Sequence, residues 1–327
     1  MNAVIYHSYD DIRIENGPIP SISAHELLVR VHGCGLCGSD ILKIAQKAAP
    51  PVVPGHELTG TIVERGYAVS QFEVGQRVVV AHHVPCHYCR HGNYSMCNAF
   101  KASNIDPCGF AEYIRVPAQH VQHTTLLLPD TLSAEAGSFT ELLACCVRAL
   151  RRTPLLPGDS VVVMGLGSVG LLMLQAVKAA GAHGSRGLHV FGVDQLPERL
   201  ALARDLGADE AFLAPTGEQE LRTLLAPYTE GRGADAVIIT APGVRPFQQA
   251  LAAVRKGDAV NLFAAHSSAV PLNLETIYQQ ELSITSTYSS SPDELRVAPT
   301  CWQAGPCAST ISSATACPWH GLLKEWR

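Results

Sequence analysis

At about 150 residues per domain, a chain of 327 residues predicts two domains, each long enough to bury a core. The chain is 47% hydrophobic and 16% charged, with Gly 27 and Pro 21, which excludes a disordered chain, a collagen and a coiled coil. Lys plus Arg 24 against Asp plus Glu 29 leaves a net charge of −5, so neither nucleic acid nor a membrane surface is an expected partner.

The opening MNAVIYHSYDD lacks a basic segment followed by an apolar run, so no secretory leader is expected. A cytoplasmic, reducing compartment follows. There the chain's cysteines (Cys 11) read as metal ligands, reactive thiols or core residues before disulfides. Residues 1–125 are turn-rich. The β-branched runs ELLVRVHGCGLCGSD, LTGTIVERG and QRVVVAHHV predict short strands, with one short helical turn at Asp40–Gln46. From about Ser133 strands alternate with helices. Ser160–Gly165 reads as a strand, Val169–Ala180 as a helix, Leu188–Asp194 as a strand, and Glu198–Leu206 as a helix that Gly207 ends. Further strands are expected at Ala211–Ala214, Ala234–Thr240, Ala259–Ala264 and Leu282–Tyr288. Continuous apolar strands joined by helical crossovers imply a parallel sheet covered on both faces. The expected fold class is α/β: a β-rich domain over residues 1–132, then a doubly wound domain over 133–298. The uncharged run SVVVMGLGSVGLLMLQAV over 160–177 approaches the length of a membrane span. Its three glycines make it a buried strand followed by a buried helix instead.

Two motifs carry chemistry. Gly165-Leu166-Gly167-Ser168-Val169-Gly170 follows an apolar strand and opens a helix, the context in which G-x-G-x-x-G binds a dinucleotide pyrophosphate. Asp194 closes the next strand, placed to accept the adenosine ribose hydroxyls and to repel a 2′-phosphate, which favours NAD(H). Arg199 on the following helix is grouped with this cofactor site. Upstream, Cys37 in the turn Gly35–Asp40 is followed nineteen residues later by His56 and then Glu57. A thiolate, an imidazole and a carboxylate on one β-rich framework are donors that Zn²⁺ takes at catalytic sites. Hydride transfer needs both parts, an electron acceptor and an acid for the alcohol oxygen.

With these motifs, and with Val74-Gly75-Gln76-Arg77-Val78, the stretch Asp106 to Tyr113 and Phe139-Thr140-Glu141-Leu142-Leu143, the chain resembles the zinc-dependent medium-chain dehydrogenase/reductase superfamily from residue 1 to about 298. The resemblance implies a GroES-like zinc-binding catalytic domain and a Rossmann domain, with the active site between them. Cys37 and His56 match the family's zinc ligands, and Glu57 matches a glutamate that ligates the metal or sits beside it. Glu141 matches a position that is cysteine in liver-type alcohol dehydrogenases and glutamate in the sorbitol and threonine dehydrogenase branch. Either glutamate, or both in alternation, completes the shell. Ser39 matches the hydroxyl that passes the proton out. Leu42 stands where liver-type enzymes have a histidine, which leaves the proton's exit unassigned. The implied activity is zinc-dependent, NAD(H)-linked interconversion of a secondary alcohol or polyol and its ketone, in a homodimer or homotetramer. The other expectation is a catalytically silent dinucleotide-binding protein of the same fold, impaired by an aberrant C-terminus. A zinc-free quinone reductase has no need of Cys37, His56 and Glu141.

His83, Cys86, Cys89 and Cys97 resemble the family's structural zinc lobe with histidine in place of the first cysteine. Either a Cys₃His site or a short deletion without a tight site accounts for it. The last 29 residues, 299–327, hold Trp302, Trp319 and Trp326 together with three cysteines, and lack apolar periodicity. They read as frame-shifted or unrelated sequence, or else as a divergent folded C-terminus.

Overall fold

The computed structural model describes residues 1–8, 11–37, 40, 50–81, 92–97, 104–181, 187–217, 219–266 and 269–303, the last five as backbone only. The chain divides into two compact units.

The first unit comprises, among the described residues, those of 1–144 and 290–300. It opens with an antiparallel hairpin of β1 (Asn2–Ser8) and β2 (Asp11–Asn16). Its main sheet consists of β3 (Leu27–Gly35), β4 (Glu57–Arg65), β5 (Arg77–Val80), β6 (Tyr113–Val116) and β7 (Thr125–Leu127), with the short helix α1 (Ala118–His123) before β7. The strand order is β6-β3-β4-β5-β7, antiparallel throughout. Alternation decides which face is buried: Leu27 and Val29 point inward and Arg30 outward. They join Leu58, Ile62, Val78 and Ile114 in one fully buried cluster. Helices α2 (Ala134–Ser138) and α3 (Thr140–Arg151) follow, and the Ser133 hydroxyl caps α2 by accepting from Ala136 N–H at 3.1 Å.

The second unit spans, among the described residues, those of 145–289 with 301–303. The boundary between the units falls at 144/145, within α3, later than the change of sequence pattern at 133. Strands and helices then alternate: β8 (Ser160–Met164), α4 (Ser168–Gly181), β9 (His189–Asp194), α5 (Pro197–Asp205), β10 (Glu210–Leu213), α6 (Glu220–Thr229), β11 (Ala234–Ile239), α7 (Val244–Ala253), β12 (Val254–Leu262), α8 (Leu274–Gln279) and β13 (Ser283–Ser286). The sheet order is β10-β9-β8-β11-β12-β13, parallel at every pairing. Counted within the unit this is 3-2-1-4-5-6, the dinucleotide-binding order. Every residue of β8 and β11 is buried, as covering on both faces requires. β12 starts at Val254, earlier than the expected Ala259, because its register with β11 shifts and the exposed Lys256-Gly257 breaks the apolar pattern.

The chain returns to the first unit at Ser290, and α9 (Pro292–Gln303) follows. Its backbone continues beyond Ala298, where the sequence departs from pattern, and residues 304–327 lie outside the described ones. No helix among the described residues is long and apolar enough to cross a membrane.

Candidate active site

The β3–β4 register sets the first site. Gly35, the last residue of β3, lies opposite Glu57, the first of β4. Cys37, two residues beyond β3, therefore meets His56 and Glu57, and one ligand atom from each lies within 4.8 Å of the others. Gly35 leaves room for this placement of the Glu57 carboxylate, since a Cβ would fall 2.3 Å from its Oε2. His56 is 7% and Glu57 2% exposed. Glu57 Oε1 is buried without a hydrogen-bond partner, an arrangement that costs free energy unless something binds there. The orphaned oxygen, thiol and imidazole fit a zinc ion held by three protein donors with a fourth position open.

A single buried carboxylate orients two of these donors. Asp40 Oδ1 lies 3.1 Å from His56 Nδ1, and Oδ2 accepts from Cys37 N–H at 3.3 Å. With Nδ1 engaged, Nε2 is the ring nitrogen left for an ion. The sequence motif Gly35–Asp40 contains this residue without a role assigned to it; the signal was its place three residues after the cysteine. We expect Asp40→Asn to weaken zinc binding about 10- to 100-fold, measured by competition with a chelator.

The charges are coupled. Burial disfavours the charged form of His56. Its bonds to Asp40 and Cys37 and the charges of Asp40 and Glu141 outweigh that and raise its pKa well above the ordinary value. Burial pushes Glu57 up to about 7, against the pull of His56 and with the Glu141 and Asp40 charges assisting. A folded-state pKa above the unfolded value of 4.5 means that the stability contribution is complete below that pH and is lost as pH rises through about 7. At about 1.4 kcal/mol per pH unit, this span is worth on the order of 3 kcal/mol. The metal-free chain is therefore expected to lose stability over this window, and Glu57→Gln to flatten the loss in urea unfolding. Identical pH slopes for the two proteins would contradict the assignment.

Glu141 lies outside the three-donor cluster. It is 2% exposed, and its Oε1 accepts from Ser290 Oγ at 3.1 Å. Among the described residues the geometry thus brings Glu57 to Cys37 and His56, and sets Glu141 where its charge acts on both His56 and Glu57. Ser39, Leu42, His83, Cys86 and Cys89 lie outside the described residues, and Cys97 is buried after the 3₁₀ turn Tyr94–Met96. Cys34 packs against the core of the first unit, and burial pushes its thiol pKa well up.

The second site belongs to the second unit. Gly165 leaves β8 with φ +98°. A Cβ on Gly170 would fall 1.7 Å from Gly165 O, so only glycine lets α4 pack this closely on the strand. At Gly167 a Cβ would meet nothing within 4 Å, which leaves its backbone open to a ligand. Ser168 and Val169 begin α4, whose free amides favour a pyrophosphate. Asp194 Oδ2 accepts from Leu166 N–H at 2.6 Å and Oδ1 from Leu196 N–H at 3.0 Å, with Arg199 Nη1 3.4 Å from Oδ2. Acid and glycine loop are thereby locked together. Thr240, which sequence reasoning missed, donates from its hydroxyl to Gly165 O at 2.6 Å and props the loop.

The chain is similar to known proteins along most of its length. The family model for the alcohol dehydrogenase GroES-like domain matches residues 23–129, and that for zinc-binding dehydrogenase matches 168–301. The chain is 33% identical to a sorbitol dehydrogenase of Bacillus subtilis over 87% of its own length and 81% of that protein. It is 30% identical to an erythritol/L-threitol dehydrogenase of Mycolicibacterium smegmatis over 93% and 85% of the two chains. Its fold is similar to that of galactitol-1-phosphate dehydrogenase from Escherichia coli, with TM-score 0.80 and 26% identity over 93% of this chain and 89% of that one.

Proposed function

We propose, from the premise that the chain belongs to the zinc-dependent dehydrogenases of the alcohol dehydrogenase superfamily, that it oxidises a secondary hydroxyl of a polyol with Cys37, His56 and Glu57 as its zinc ligands. Its reaction is oxidoreduction between an alcohol and a ketone, and its cofactors are zinc and a nicotinamide dinucleotide. The observation that carries the ligand assignment is the orphaned Glu57 Oε1 beside a thiol and an imidazole in one buried cluster.

Zinc bound there supplies Lewis acidity, which lowers the pKa of an alcohol hydroxyl toward neutrality. Asp40 keeps the His56 ring and the Cys37 backbone in place, and the burial of Glu57 excludes water from one side of the cluster. The glycine loop takes the pyrophosphate, Asp194 the adenosine ribose, and Ser39 the departing hydroxyl proton. Glu141 sets the charge around the ligands. Polyol substrates are supported by the names of the relatives. Pairing into a homodimer or homotetramer follows the resemblance. None of the six cysteines whose side chains are described forms a disulfide, which fits a cytoplasmic location.

Asp194 argues for NAD(H) over NADP(H), because its carboxylate repels a 2′-phosphate. Asp194→Ala is expected to narrow the preference for NADH over NADPH by about tenfold or more, read from the two dissociation constants. The function itself is tested by NAD⁺ reduction across sugars, polyols and amino alcohols, with zinc measured on the same preparation. Turnover on at least one polyol, lost on chelation, is expected. A zinc-loaded, NADH-binding chain that turns over none of them would overturn the proposal.

A further inference from the structure

β12 ends at Leu262, and His266 stands four residues beyond its carboxyl end. In a doubly wound sheet the dinucleotide lies across the carboxyl ends of the strands where the strand order reverses, here between β8 and β11. Asp194 marks β9 and the glycine loop marks β8. With adenosine and pyrophosphate at those two strands, the rest of an extended dinucleotide runs across β11 and β12. The loops beyond β8, β11 and β12 adjoin in turn. A Cβ on Gly165 would lie 2.8 Å from Ala241 N, and Gly243 N–H donates to His266 Nδ1 at 3.4 Å.

That last bond fixes the tautomer. Nδ1 accepts, so the neutral ring carries its proton on Nε2. His266 Nε2 is buried and has no hydrogen-bond partner. Buried donors are almost always paired in native proteins, and an unpaired one calls for an explanation. We propose that His266 Nε2–H donates to an oxygen of the nicotinamide riboside, either a ribose hydroxyl or the carboxamide carbonyl. His266 is then a positioning residue for the half of the cofactor that the glycine loop does not hold. The inference rests on the dinucleotide site proposed above.

Fluorescence titrations with NADH, ADP-ribose and ADP test it on the wild type, His266→Ala and His266→Phe, the last keeping a ring of similar volume should the alanine variant fold poorly. NADH binding is expected to weaken about five- to tenfold in both variants, while ADP, which lacks the distal riboside, binds unchanged. A matching loss for ADP-ribose assigns the bond to the ribose, and an unchanged value assigns it to the carboxamide. NADH affinity equal to wild type in the variants, or an equal loss for NADH and ADP, overturns the proposal. A wild-type chain that binds none of the three refutes the dinucleotide site itself.

Discussion

Cys37→Ala is expected to lose the zinc of this cluster and to lower turnover about a thousandfold or more, the scale on which a Lewis acid contributes to transition-state stabilisation. The substitution removes the only sulfur of the three-donor cluster and leaves an imidazole and a carboxylate, too few protein donors for a catalytic zinc. The nearby Cys34 supplies the control. Its sulfur is wedged where added Cβ atoms on Gly55 and Gly109 would approach to 2.8 and 2.7 Å, and burial keeps its thiol protonated. A protonated, packed thiol is a poor ligand. Cys34→Ala should retain zinc and stay within about threefold of wild-type turnover, at a modest cost in stability. Metal analysis and steady-state rates on the two variants separate a ligand from a core residue, and equal zinc content in both would refute the assignment.

The second large effect is expected at Gly170. Gly170→Val puts a Cβ 1.7 Å from Gly165 O and 3.0 Å from Thr240 Oγ1, and neither backbone nor hydroxyl can yield without lifting α4 from β8. Overpacking of this severity costs at least about 3 kcal/mol, and dinucleotide binding should fall about a hundredfold or more as the loop amides lose their aim. Gly167→Ala makes the opposite case. Its Cβ meets nothing within 4 Å, so the protein should melt near the wild-type temperature and still bind NADH more weakly, because the methyl group occupies space the pyrophosphate needs. Urea midpoints and NADH titrations on both variants distinguish a packing glycine from a ligand-facing one.

Much of the second unit was legible in the sequence for a physical reason. Parallel strands buried on both faces are unbroken apolar runs, and β8, β9 and β11 lie within a residue or two of their expected bounds. The start of β12 was hidden by Arg255, Lys256 and Gly257, which are polar or flexible yet lie within the strand. In the first unit the donor types were readable, but their convergence was not. It depends on Gly35 facing Glu57 across an antiparallel register, and register over twenty intervening residues leaves no local mark. The same holds for Asp40, whose partner His56 lies sixteen residues away. The choice between Glu57 and Glu141 likewise depends on whether β4 or α3 carries its carboxylate to the thiol, a matter of tertiary structure.

Zinc-edge X-ray absorption tests the central claim most directly. It is best done on a chain carrying Cys97→Ser and loaded with one equivalent of zinc, so that the other candidate lobe loses a ligand. One sulfur scatterer at about 2.3 Å with nitrogen and oxygen scatterers at about 2.0–2.2 Å is the shell expected of Cys37, His56 and Glu57. A shell of several sulfurs, or one with none, would contradict it.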